Sequence, residues 1–256
     1  MQYVCLVRYL GTDFCGFQVQ PERRTVQGAV QAAAQMVLGC PCRVTGCSRT
    51  DSGVHANGFC LTVAPEGPCT VPAERFGQAM AACLPPDVSV MQAGLMPDTF
   101  HPRYAALGKE YLYLIWNGRV RDPFLFGRAM HFPKPLTGEA LCAMQRAAEA
   151  LCGTHDFASF MAEGSSVQST VRTVTAFTIE KEGDLVRILV SADGFLYNMV
   201  RILVGTLLDV AVGRKMPEQM TGILAGCSRT LAGQTAPAEG LYLNRVFYPS
   251  ELQLFQ

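Results

Sequence analysis

Net charge is the first thing this chain of 256 residues lacks. Twenty-one lysines and arginines balance twenty-one aspartates and glutamates. No global field attracts phosphate, so a nucleic-acid partner requires the basic residues to be gathered on one face. Charged residues of either sign are scarce, 16 % against 49 % hydrophobic, which excludes a disordered chain and describes a folded soluble one. Also absent is an apolar run of the roughly 20 residues that a bilayer span needs. The most apolar stretch, 199–212, is shorter and carries Arg201 and Asp209, so no membrane segment is expected. The opening MQYVCLVRYLG alternates as a strand does and lacks the charged-then-apolar layout of a secretory leader.

Metal-ligand spacing is missing as well. The eleven cysteines include no CxxC, only Cys40-Pro-Cys42, and His55, His101 and His155 share no ligand spacing. An odd number of scattered cysteines in a long chain is not a disulfide framework. The expectation is a reducing cytoplasm, thiols acting as small core hydrophobes, and no metal.

What is present is an ordered series of elements. Gln2 to Tyr9 reads as a strand, followed by a glycine-rich polar connection. Val26 to Leu38 has helical apolar spacing, with Thr25 placed to cap it and Gly39 to end it. Strands are predicted over 43–47 and 54–64, a helix over 72–84 and a strand over 88–95, which together spell β-α-β-β-α-β, a ferredoxin-like order. The order roughly repeats with a strand over 109–116, a helix over 137–152, a hairpin over 171–181 and 185–192, helices over about 195–212 and 217–225, and a last strand in GLYLNRVFY. The expected fold is α+β. Two ferredoxin-like (RRM-like) α/β units, residues 1–104 and 105–256, form one extended, mainly antiparallel sheet with helices on one face and a central active-site cleft. Fold alone does not name a function.

Three groups of residues could carry chemistry. "GCSRTDSGVHANG", 46–58, packs Arg49, Asp51 and His55 among three glycines between two apolar runs. One reading of Asp51 is an Asx turn that bonds local backbone N–H groups. The other is a functional carboxylate flanked by Arg49, which two residues earlier on a strand faces the same side. Asn198, Arg201, Gly205 and Asp209, at offsets 0, 3, 7 and 11, form a stripe on an otherwise apolar helix. An arginine on so apolar a helix calls for an acidic partner. Phe100, Tyr104, Tyr111 and Tyr113 interleave with Arg103, Lys109, Arg119 and Arg121; they read either as core aromatics or as a platform on which a nucleobase stacks.

These residues match a family pattern. The chain resembles the tRNA pseudouridine synthases of the TruA type through "YLGTDFCGFQVQPERRTVQGAV", "SRTDSGVHANG", "TFHPRYAALGKEYLYLIWN", "GTHDFASF", "DGFLYNMVRILVGTLLDVAVGR" and "APAEGLYLNRVFYP". The blocks follow one another over nearly the whole chain. The resemblance implies isomerisation of uridine to pseudouridine in the anticodon stem-loop of tRNA, around positions 38 to 40. It makes Asp51 the catalytic residue, Tyr111 the ring packed on the target base and a candidate for later proton transfer, and Arg201 the partner of the aspartate. It also implies a homodimer, a basic cleft holding tRNA, and no metal or organic cofactor. Candidate tRNA contacts are Arg49, His55, Arg8, Arg23, Arg24, Arg103, Lys109, Arg172 and Asn198. One departure stands out: Ser48 occupies the position before the arginine where the family usually has glycine. Two rival readings are a non-catalytic RNA-binding module, supported by the neutral charge and Ser48, and a metal-dependent hydrolase, which lacks a ligand cluster.

Overall fold

A computed structural model describes residues 1–256 except Thr70, Ser165, Ser166, Gln253 and Gln256. The chain divides into two compact units, 1–107 with 242–256, and 108–241.

The first unit is built from β1 (Gln2–Tyr9), α1 (Val26–Leu38), β2 (Cys42–Gly46), β3 (His55–Pro65), α2 (Ala73–Ala81) and β4 (Val88–Met96). β1 lies between β4 and β3, antiparallel to both, and β2 pairs antiparallel with the far half of β3. Alternation in β1 decides which face is covered. Tyr3, Cys5, Val7 and Tyr9 are buried, and Tyr3 stacks on Phe76 of α2 with centroids 4.0 Å apart and planes 6° from parallel. Arg8, on the opposite face, is exposed. α1 begins as its sequence predicts: Thr25 is extended and its hydroxyl accepts from the Gly28 N–H, and Gly39 closes the helix in the left-handed region at φ 67°.

The second unit contains β5 (Gly108–Trp116), β6 (Met130–His131), α3 (Gly138–Glu149), β7 (Gly153–Asp156), β8 (Val171–Glu182), β9 (Leu185–Ala192), α4 (Met199–Ala211) and α5 (Met220–Ala225). Its sheet runs β5-β9-β8-β7, every pair antiparallel, with β6 parallel to the end of β5. The amide of Gln145 on α3 donates to the Phe177 carbonyl and accepts from the Ile179 N–H of β8, fixing helix to strand.

β6 and β7 are not among the predicted strands, and two further features differ from the sequence expectation. The last strand, β10 (Leu241–Phe247), belongs to the first unit from Tyr242 onward rather than to a continuous 105–256 unit. It pairs parallel with β3, Tyr242 opposite His55 and Leu243 opposite Ala56. An Asn57–Asn244 amide bond of 2.9 Å and the Leu107 N–H to Phe247 carbonyl bond of 2.8 Å add to this pairing. Parallel pairing to a strand far away in the chain leaves no local sequence trace. The second difference is the start of α4, at Met199 rather than near Phe195, because Asn198 is left-handed at φ 58°. A right-handed helix cannot run through that backbone, and asparagine is among the few residues that tolerate it.

α4 is buried on almost every side, and residues 233–236 lie against it. The Gly233 N–H donates to the Thr206 hydroxyl at 2.8 Å and the Ala236 N–H to the Arg201 carbonyl at 3.0 Å. Gly205 permits this approach: a Cβ there would collide with the Gln234 carbonyl. Gly205→Ala is therefore expected to lower stability by about 3 kcal/mol, the upper end for overpacking a filled core, read from the urea-unfolding midpoint.

Candidate active site

The 46–58 segment is shaped by a second loop that clasps it. Thr50 is buried, and its hydroxyl shares a 2.7 Å hydrogen bond with the hydroxyl of Tyr9. The Thr50 carbonyl accepts from the Phe17 N–H at 3.1 Å. The Phe14 carbonyl accepts from both the Gly53 N–H and the Ser52 hydroxyl, at 3.3 and 3.2 Å. Within the turn, the Val54 N–H bonds the Asp51 carbonyl at 3.2 Å, and Gly53 takes φ 78°, where a side chain would be strained. Gly16, at φ 87°, lies so close that a Cβ would come within 2.7 Å of the Thr50 carbonyl. Asp51 sits half-buried at the centre of this clasp, with Arg49 exposed beside it. Ser48 is not among the residues with positive φ, so a serine in place of glycine brings no backbone strain.

His55 was expected to contact RNA. It is instead wholly buried: its Nδ1 accepts from the Gly11 N–H at 2.9 Å and its ring stacks on Tyr242 at 4.5 Å. A buried imidazole presents no surface to a ligand, and its place is in the frame that holds the two loops. The frame residues Tyr9, Phe14, Phe17 and Tyr242 were missed as contributors to the site. The signal was available in the glycine spacing of GTDFCGF, but what those glycines approach is a tertiary fact.

In the second unit, β5 and the entry to α4 supply the other candidates. Tyr111 is buried, 7 % exposed, with the edge of Phe195 against it at 5.0 Å and 84°. Arg201 donates from Nε to the Ala236 carbonyl at 2.7 Å and from Nη1 to Oδ1 of Asn198 at 2.8 Å. The guanidinium is thus held in one orientation by a helix cap and by the strap that packs on α4. The polar stripe on α4 splits into three uses. Asn198 and Arg201 act together, Gly205 makes room for the strap, and Asp209 accepts from Nε of Arg214 at 2.8 Å.

The aromatic platform is narrower than its sequence suggests. Tyr113 is fully buried, and its hydroxyl donates to the Pro237 carbonyl at 2.8 Å; burial pushes its phenol far above the ordinary range. Phe100 packs near Tyr248, whereas Tyr104 is 79 % exposed beside His101. Among the basic candidates, Arg23, Arg49 and Arg103 are exposed and Lys109 is half-buried. Arg8 is exposed, with Nε donating to the Asn57 carbonyl. Two others are already engaged. Arg24 makes a two-pronged pair with Asp87 at 2.8 and 2.9 Å and lies over the Phe14 ring, so its charge is matched within the chain. Arg172 donates to the carbonyls of Ser169 and Val171.

A sequence profile described as tRNA pseudouridine synthase matches residues 6–105 and 147–249. The chain belongs to that family. Asp51 falls in the first matched segment and Arg201 in the second, while Lys109 and Tyr111 fall between them. The chain is 41 % identical over 243 residues to tRNA pseudouridine synthase A of Ruminiclostridium cellulolyticum, covering 94 % of this chain and 97 % of the relative. It is 44 % identical over 244 residues to that of Thermoanaerobacter pseudethanolicus, covering 95 % and 98 %. With that of Halalkalibacterium halodurans the identity is 43 % over 240 residues, covering 93 % and 89 %. Members of this tRNA pseudouridine synthase family are isomerases.

The clasp makes His55 a stability determinant. In His55→Phe the ring can still stack on Tyr242, but the buried Gly11 N–H loses its acceptor. The expected cost is about 1–3 kcal/mol, measured by equilibrium unfolding, and His55→Gln, which retains an acceptor, is expected to lose less.

Proposed function

We propose that this protein converts uridine to pseudouridine in the anticodon stem-loop of tRNA, around positions 38 to 40, with Asp51 as the catalytic carboxylate. The observation that carries the proposal is the clasped R-T-D-S-G-V-H turn. A family-matched segment there holds one aspartate half-buried on a backbone braced by Thr50, Phe14 and Gly16. The reaction breaks the bond from ribose C1′ to N1 of uracil, turns the base, and joins C1′ to C5; a proton then leaves C5 and N1 takes one up, so that the product is an isomer of uridine. A carboxylate suits this chemistry as a nucleophile at C1′ or at C6, or as the base that removes a sugar proton. The target nucleotide has to leave its stack before the ring can turn, so a protein surface must receive the extruded base. Tyr111 is the residue assigned to that contact and to the closing proton transfer. Arg201, held by Asn198 and Ala236, is assigned to keeping the catalytic carboxylate ionised.

Exposed Arg8, Arg23, Arg49 and Arg103 are the proposed phosphate contacts. Arg24 and Arg172 enter only if a phosphate displaces their internal partners. The working form is a cytoplasmic homodimer that uses no metal or organic cofactor.

Unmodified tRNA with uridines at positions 38 to 40, incubated with the protein and mapped chemically, is expected to gain pseudouridine there. Modification confined to another site would overturn the assignment. Asp51→Asn should bind tRNA as the parent does and lose about a thousandfold in rate or more; substantial isomerisation by the variant would remove Asp51 from the role. Activity that survives exhaustive chelation separates this reading from a metal-dependent hydrolase. Affinity for tRNA should also fall steeply as salt rises, because phosphate contacts release counterions.

A further inference from the structure

The first unit has a concavity on the sheet face opposite its helices. Leu6 and Arg8 of β1 open onto it, whereas Tyr3 on the same strand points to the helix side against Phe76. The cavity holds about 700 Å³, within the range of small-ligand sites. Neither Asp51, Tyr111 nor Arg201 lines it.

Its floor is Gly58 on β3, flanked by Arg8 on β1 and Arg245 on β10. A Cβ at Gly58 would come within 2.6 Å of the Asn244 carbonyl and 3.6 Å of the Arg245 Cα. Glycine here lets β10 approach and leaves the floor between the two arginines without a side chain. Both arginines are exposed, and Arg8 is oriented by its Nε bond to the Asn57 carbonyl at 3.1 Å. Two guanidinium forks across a bare strand suit a phosphate, whose oxygens accept paired N–H bonds.

Other lining residues bring different chemistry. Tyr248, Leu254 and Phe255 line the cavity, and Phe255 takes φ 61°, a backbone that a bulky residue seldom adopts. The Tyr248 hydroxyl is already used, donating to the Pro102 carbonyl at 2.7 Å, so the ring offers its apolar body to the cavity. The hydrogen-bonded Asn57–Asn244 amide pair also lines the cavity. Aromatic and aliphatic side chains for a flat ring, amides, and two arginines for an anion, all lining one cavity, suit a nucleotide.

The geometry points to a nucleotide-binding subsite, with the phosphate between Arg8 and Arg245 over Gly58 and the base against Tyr248, Leu254 and Phe255. The ligand is a nucleoside monophosphate unit, either free or as one residue of an RNA strand. The subsite does not depend on the proposed catalytic role of Asp51.

Isothermal titration with 5′-AMP tests it, because adenine cannot be isomerised and binding is read apart from catalysis. One-to-one saturable binding is expected, weaker for adenosine, which lacks the phosphate. Arg245→Ala or Arg8→Ala should weaken AMP about tenfold or more while leaving adenosine nearly unchanged; Phe255→Ala should weaken both. All three side chains lie at the surface or rim, and an unchanged melting temperature verifies the fold. Asp51→Asn should bind AMP as the parent does, so failure of isomerisation and failure of this subsite are read separately. Displacement of AMP by tRNA assigns the unit to an RNA strand, and simultaneous binding assigns it to a free nucleotide. No saturable binding to the parent protein, or AMP affinity indifferent to both arginine substitutions, overturns the proposal.

Discussion

The first unit depends on the interlocking of two loops that are distant in sequence. Residues 11–17 and 50–55 exchange backbone and side-chain hydrogen bonds through Gly11, Phe14, Phe17, Thr50, Gly53 and His55. Each buried donor or acceptor there needs its partner, because a polar group left unpaired in the interior costs about 1–3 kcal/mol. The consequence is a loop with few alternative conformations. Asp51 sits within this loop, on a backbone that these bonds fix.

The second unit solves a similar problem by another route. α4 is too apolar to present a polar face, yet it carries Asn198 and Arg201 at its entry. The strap 233–237 supplies what the helix lacks. It offers the Ala236 carbonyl to Arg201 and the Pro237 carbonyl to Tyr113, and it donates from Gly233 to Thr206. Gly205 is the opening through which this contact is made. Hydrogen bonds to the Ala236 carbonyl and to Oδ1 of Asn198 fix the direction of the Arg201 guanidinium.

Much of this was legible in the sequence because it is local. The span of α1, its Thr25 cap and Gly39 stop, the β2–β3 hairpin and the β8–β9 hairpin all follow from periodicity and turn chemistry acting over a few residues. The candidate residues Asp51 and Arg201 could be named because each sits in an unusual local context, a charged turn and a polar stripe on an apolar helix. His55 and Tyr113 could not be sorted from sequence. A histidine that accepts from Gly11 and a histidine that meets RNA are the same letter in the same turn.

The sequence by itself determined most of the element order, the absence of a long apolar span and the family pattern in which Asp51 falls. Tertiary structure decided three other matters: that β10 returns to pair with β3, that His55 and Tyr113 are framework, and that Arg24 is matched by Asp87. The physical reason is range. Helix caps, turns and alternation act between near neighbours along the chain, whereas burial, parallel strand pairing and ion pairing depend on which distant residues the fold brings within about 3 to 4 Å.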